Sequence, residues 1–264
     1  MRLPRLRRPR LSDRDPAARR AAVARLDAKG DAREALGRLL AEDPDPGVRA
    51  AAVKRLEDLA RLRACAEQDA DALVRESARA RYRQLLAGGG AQPLAEREAE
   101  LARCGDLQIL AHVARSGREE ALRAAALARI EDAAVLEEAA RHDPRARLRR
   151  QAARQLADAA ALRRLACAGR DVDRRVVRIA RERLAALEAA GEAARGADAE
   201  AHRIIRELEA LADRQLPGAE AARARLINRW QQLVPPPEPR RQQAFDAALA
   251  AFDAAATSAD RVNP

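Results

Sequence analysis

The sequence predicts an all-α chain, an α-solenoid of stacked helix pairs followed by a short C-terminal helical hairpin. Three observations predict it. Of 264 residues 48% are apolar but only 2% aromatic, and the abundant Ala, Leu, Arg and Glu all favour helix. A nine-residue frame, best seen in Val48–Leu56 (VRAAAVKRL), recurs six times with apolar residues at helical spacing. Most recurrences lie 26 to 30 residues apart, room for two helices but not for a core of their own, so neighbouring units must bury each other's apolar faces.

The chain opens on a basic arm, residues 1–12, in which Arg2, Arg5, Arg7, Arg8 and Arg10 alternate with the helix-breaking Pro4 and Pro9. Residues 1–25 hold nine Arg against Asp13 and Asp15, which is +7 of the chain's +10, so a basic arm precedes a nearly balanced body. Such arms bind nucleic acid, acidic proteins or membrane surfaces. With 49 Arg to 2 Lys overall, general arginine bias accounts for the arm equally well.

Frames begin at Ala18, Val48, Val74, Leu122, Leu148 and Val176, at intervals of 30, 26, 48, 26 and 28. Position 5 is always Ala (Ala22, Ala52, Ala78, Ala126, Ala152, Ala180), on the face shared with positions 1 and 9, where a small side chain admits a neighbouring helix. A second helix is predicted after Asp58, Asp106, Asp132 and Asp158, each a good N-cap, with Leu62, Leu110, Leu136 and Leu162 four residues on. The 48-residue interval reads as a loop at Gly88–Pro93 followed by one inserted helix.

These features, with "DPGVRAAA" and "DALVRESA" as the clearest openings, resemble HEAT-like repeats over residues 13–187. The resemblance implies fold and says nothing of function, because such solenoids serve as scaffolds, nucleic-acid binders or, rarely, enzymes. After Leu187 the rhythm stops: residues 188–197 read as a Gly/Ala linker, 198–256 as helices at about 198–214, 219–233 and 240–255, and 257–264 as a tail. The stretch carrying Trp230, Leu233, Pro235, Phe245 and Phe252 is similar to the bacterial family called domain of unknown function 349, whose larger members also carry HEAT-like repeats. The chain has one such unit rather than several and lacks an aromatic just before Phe245; the resemblance implies no established activity.

Arginine occupies position 2 in Arg19, Arg49, Arg75, Arg123 and Arg149, with an acid three residues before position 1 in Asp15, Asp45, Asp71, Glu119 and Asp173. Beside a buried stripe these arginines need partners, so they are expected to form a structural acid–Arg ladder. Position 8 holds Arg25, Arg55, Arg81, Arg129 and Arg183, with no acid in fixed register. Their guanidinium groups are expected to face out and form a row of positive charge along the solenoid, suited to an anionic polymer, or else a merely solvated face. The candidate anion-binding residues are therefore Arg2, Arg5, Arg7, Arg8, Arg10, Arg25, Arg55, Arg81, Arg129 and Arg183.

No catalytic, cofactor-binding or metal site is indicated. Cys65, Cys104 and Cys167 are odd in number and far apart, the three His are dispersed, and the glycines form no phosphate loop. A base-excising HEAT-like enzyme would need aromatic side chains to handle the base, and the repeats offer Tyr82 alone. No run approaches the roughly 18 apolar residues of a membrane span, and the basic start has no apolar segment behind it, so a cytoplasmic protein is expected. The expectation is a non-enzymatic scaffold binding an acidic partner, nucleic acid or ribonucleoprotein first; the alternative is a protein–protein scaffold or assembly factor that binds no nucleic acid.

Overall fold

The computed structural model describes residues 10–26, 30–214 and 218–262, with side chains described as far as residue 255. Among these residues there are fourteen α-helices and no strand. The chain divides into two compact units, Met1–Arg181 and Glu182–Pro264, a boundary six residues before the expected end of the repeats.

The first unit runs α1 (Pro16–Val23), α2 (Asp31–Glu42), α3 (Pro46–Arg55), α4 (Leu59–Gln68), α5 (Ala72–Leu86), α6 (Leu94–Arg103), α7 (Leu107–Ser116), α8 (Glu120–Leu127), α9 (Ala133–His142), α10 (Ala146–Gln155), α11 (Ala159–Ala166) and the start of α12 (Arg174–Arg214). Seven of these starts have a local cause. Asp15, Asp45, Asp58, Asp71, Asp106, Asp132 and Asp158 cap α1, α3, α4, α5, α7, α9 and α11, each carboxylate accepting a backbone N–H of the first turn. Pro16 and Pro46 sit at the first helical position, where a missing N–H costs nothing. The Ala at position 5 is buried in all six frames, so helix backbones meet there.

The long interval between frames differs from expectation. Helix α6 is not an insertion but a seventh copy of the frame, Glu96 to Cys104, with Arg97 at position 2 and Arg103 at position 8. Asp106 follows its start by ten residues, as Asp58, Asp132 and Asp158 follow Val48, Leu122 and Leu148. The 48-residue interval thus divides into 22 and 26, and what is missing is the second helix after α5. Glu at positions 1 and 5 conceals the copy. Glu100, at position 5, is nevertheless buried, and its carboxylate accepts from Arg63 Nε (3.1 Å), Arg103 Nη1 (3.3 Å) and Tyr82 OH (3.3 Å).

Losing one helix changes which helices are neighbours. The chain turns straight from α5 into α6, and the residue after α5 lies beside the entry to α8, where Arg118 N–H donates to Ala87 O at 3.0 Å. Frame helices α1, α3 and α5 pack in sequence, but α5 then neighbours α7, which neighbours α9, which neighbours α11. The later frame helices α6, α8 and α10 form a second rank that begins with α4. Frames therefore occupy one rank before the break and the other after it.

In the second unit α12 is followed by α13 (Ala219–Gln231) and α14 (Pro239–Val262). Residues 188–197, expected as a linker, are helical and lie within α12. Gly191 and Gly196 each cost a helix about 1 kcal/mol relative to Ala, but the surrounding Ala, Glu and Arg are strong helix formers. The expected tail likewise belongs largely to α14. The aromatics make a small core: Trp230 stacks on Phe245 with ring centroids 4.0 Å apart, over Ile204, Leu208 and Leu226, and its Nε1–H donates to Gln242 at 3.1 Å. Phe252 is buried as well.

Candidate anion-binding surface

The two arginine sets arise from the same helices and end in different chemistry. At position 2 the guanidinium groups of all these frames but that of Arg75 reach back over their own helix start and forward to the next frame. Arg19 donates through Nε and Nη2 to Asp43, both at 2.8 Å, and through Nη1 to Asp13 O at 2.9 Å. Arg49 repeats the pattern on Asp69 (3.0 and 3.0 Å) and Asp43 O (2.9 Å), and Arg123 on Asp143 (2.9 and 3.4 Å) and Gly117 O (2.8 Å). Arg97, in the concealed copy, makes a fork on Glu119 with both contacts at 2.7 Å. Arg149 reaches Asp173 through one nitrogen at 3.2 Å and Asp143 O at 2.8 Å.

Planar, bidentate pairs of this kind are the strong form of the Arg–carboxylate contact. Three of the acids, Asp43, Asp69 and Asp143, are not the expected capping residues but stand five residues before position 1. Each also accepts an N–H two residues on, at 2.8–2.9 Å. Their signal is in the sequence: an Asp recurs there in Asp13, Asp43, Asp69, Asp143 and Asp171. Arg19 beside Asp43, and Arg97 beside Glu119, hold those carboxyls below their usual range.

Position 8 departs from expectation. Three of the guanidinium groups return to the backbone that ends the preceding frame, and only Arg25 and Arg129 of the set are exposed. Arg55 Nη2 donates to Leu26 O, Arg81 Nε to Leu56 O at 3.1 Å, and Arg129 Nη2 to Cys104 O and Nη1 to Leu101 O, both at 2.6 Å. Leu26, Leu56 and Cys104 are position 9 of the frame before. These carbonyls are the orphan acceptors of a helix end, and a cation beside them also meets the negative end of the helix dipole. A helical wheel ranks faces and takes no account of a side chain long enough to reach a neighbouring helix.

The expected single row is also divided. Arg55 and Arg81 belong to α3 and α5, and Arg25 follows α1, all in the first rank; Arg129 follows α8, in the second. Arg183 lies on α12 in the second unit. Arg2, Arg5, Arg7 and Arg8 lie outside the described residues, and Arg10 is exposed.

What distinguishes the two sets is the counter-charge. Five position 2 arginines, Arg97 among them, meet carboxylates. Among the described residues Arg25, Arg55 and Arg129 have none within 4.0 Å, while Arg81 has Glu57 at 3.8 Å. A backbone carbonyl orients a guanidinium without cancelling its charge.

The remaining chemistry is sparse. Burial pushes the Cys65 thiol up to about 11 and raises that of Cys104; Cys167 is exposed. Among the described residues no group of three His, Cys, Asp or Glu is set to hold a metal, and no helix is long and apolar enough to cross a membrane. A groove of about 650 Å³ between α2 and α4 is lined by both signs of charge, including Glu34, Arg38, Arg61 and Asp69. No protein family, curated protein or solved structure matches the chain.

Proposed function

We propose that the chain is a non-enzymatic scaffold, a HEAT-like α-solenoid that works in the cytoplasm and binds an acidic partner, nucleic acid or ribonucleoprotein. The single observation that supports it is the set of guanidinium groups with no carboxylate against them among the described residues: Arg55 and Arg129, held on backbone carbonyls, and the exposed Arg25. Cations positioned without counter-ions attract phosphates and release the polymer's own counter-ions on binding. The N-terminal arm adds charge to the same end of the sequence as Arg25. Similarity of residues 225–255 to domain of unknown function 349 supports a bacterial helical-repeat relative and no reaction.

The test is a fluorescence titration of mixed RNA and DNA with intact protein and with protein lacking residues 1–11. Intact protein is expected to bind at low salt and to release as salt rises, and the deletion to weaken binding. No affinity at low salt refutes the nucleic-acid reading and leaves a protein–protein scaffold.

A further inference from the structure

The position 2 ladder has one incomplete rung. Arg75 is oriented like the others, with Nη1 on Asp69 O at 2.7 Å and on Ala70 O at 3.0 Å. These are the carbonyls that Asp43 and Pro44 offer Arg49, and Gly117 and Arg118 offer Arg123. In those rungs the Nε and Nη2 edge carries a carboxylate from the next frame. For Arg75 no carboxylate lies within 4.0 Å among the described residues. The cause is the missing helix: the next member of its rank is α7, which is not a frame helix and brings no acid to that register. The N-cap of α7, Asp106, pairs instead with Arg79, one turn further along α5, at 3.1 Å.

The same end of α5 exposes apolar surface. Leu73, in its first turn, is 66% exposed, and so is Leu107, the residue after Asp106 at the start of α7; the Arg79–Asp106 pair joins the middle of α5 to the start of α7. Leu59 holds the place in α4 that Leu107 holds in α7 and is buried. A half-buried guanidinium fixed for bidentate contact, on a helix whose first turn also exposes Leu73, matches a segment that presents a carboxylate beside an apolar side chain.

We propose that Arg75, with Leu73 and Leu107, docks an acidic and apolar segment of a partner protein, whose Asp or Glu completes the rung. Carboxylate is favoured over phosphate because five equivalent guanidinium groups of this chain take a carboxylate. This surface is separate from the position 8 arginines, and its failure leaves the phosphate-binding reading intact.

The probe is a labelled peptide copying the chain's own acceptor segment, residues 39–48 (LLAEDPDPGV), with a control in which both Asp are Asn. Full-length protein is expected to bind the Asp peptide at least about tenfold more tightly than the control. Arg75→Gln should remove that difference, and Arg75→Lys should restore only part of it, because the ammonium lacks the planar fork. Circular dichroism of both variants verifies that they remain folded. Equal binding of the two peptides, or an undiminished difference in Arg75→Gln, overturns the proposal. Loss of self-association in Arg75→Gln would assign the surface to a second copy, and loss of oligonucleotide binding would assign it to phosphate; either overturns it too.

Discussion

Arg49 and Arg55 stand six residues apart on α3, and their surroundings give them different energetic roles. Arg49 and Asp69 are both largely withdrawn from water, with side chains 15% and 9% exposed, so neither can lose the other cheaply. The Arg123–Asp143 pair is more deeply placed, at 8% and 3%. Arg123→Ala is therefore expected to destabilise the fold by about 2–3 kcal/mol in chemical denaturation, leaving Asp143 buried and unpaired. Arg129→Ala should cost less, since only carbonyls at a helix end lose a partner, and the exposed Arg38 should cost least. Equal losses at Arg123 and Arg38 would contradict the ladder.

Protonation tests the same rungs. Arg19 lowers the Asp43 carboxyl below its ordinary 3.8, and Arg97 lowers Glu119 below 4.5. A depressed folded value means that the stabilisation is complete above the ordinary carboxylate values and is lost as pH falls through the folded ones. Thermal melts between about pH 6 and pH 3 should show stability declining below about pH 4, and Arg97→Gln should shrink that decline. An unchanged decline would exclude Glu119 as a contributor. Thiol labelling checks burial directly: in the folded protein Cys167 should react rapidly, while Cys65 and Cys104 should wait for unfolding.

At the scale of elements, the second unit tests the long helix. Gly196 lies within α12, and a Cβ there would meet nothing within 4 Å. Gly196→Ala should therefore stabilise by about 0.5–1 kcal/mol, seen as a raised Tm. A lowered Tm would favour the linker that the Gly spacing predicts. Helix starts were legible because Asp and Pro act locally, through a carboxylate on a nearby N–H or a fixed φ. The concealed frame at Glu96 was not legible from its apolar pattern, since Glu100 is burial-compatible only because Arg63 and Tyr82, from elsewhere in the fold, join Arg103 of its own helix around it. Spacing did mark it, through Asp106 and Arg97.

Over the whole molecule, the missing helix after α5 has the widest effect. It moves the frames from one rank of helices to the other, ends the first run of the ladder at Arg75, and divides the position 8 arginines between α1–α5 and α8. The sequence showed which arginines recur. It did not show which would meet a carboxylate, because that depends on which helix comes next in the rank. Arginines paired with carboxylates join neighbouring frames, whereas those oriented only by carbonyls, with Arg25, are the ones proposed to bind anions. The most direct test is the slope of log affinity against log salt for a duplex DNA, comparing intact protein with the triple variant Arg25→Gln, Arg55→Gln, Arg129→Gln. If each of the three contacts a phosphate, the slope should flatten by about 0.9 per residue lost, while the circular dichroism spectrum stays helical. A variant that stays folded and binds with the intact protein's slope and affinity would contradict anion binding by these three arginines.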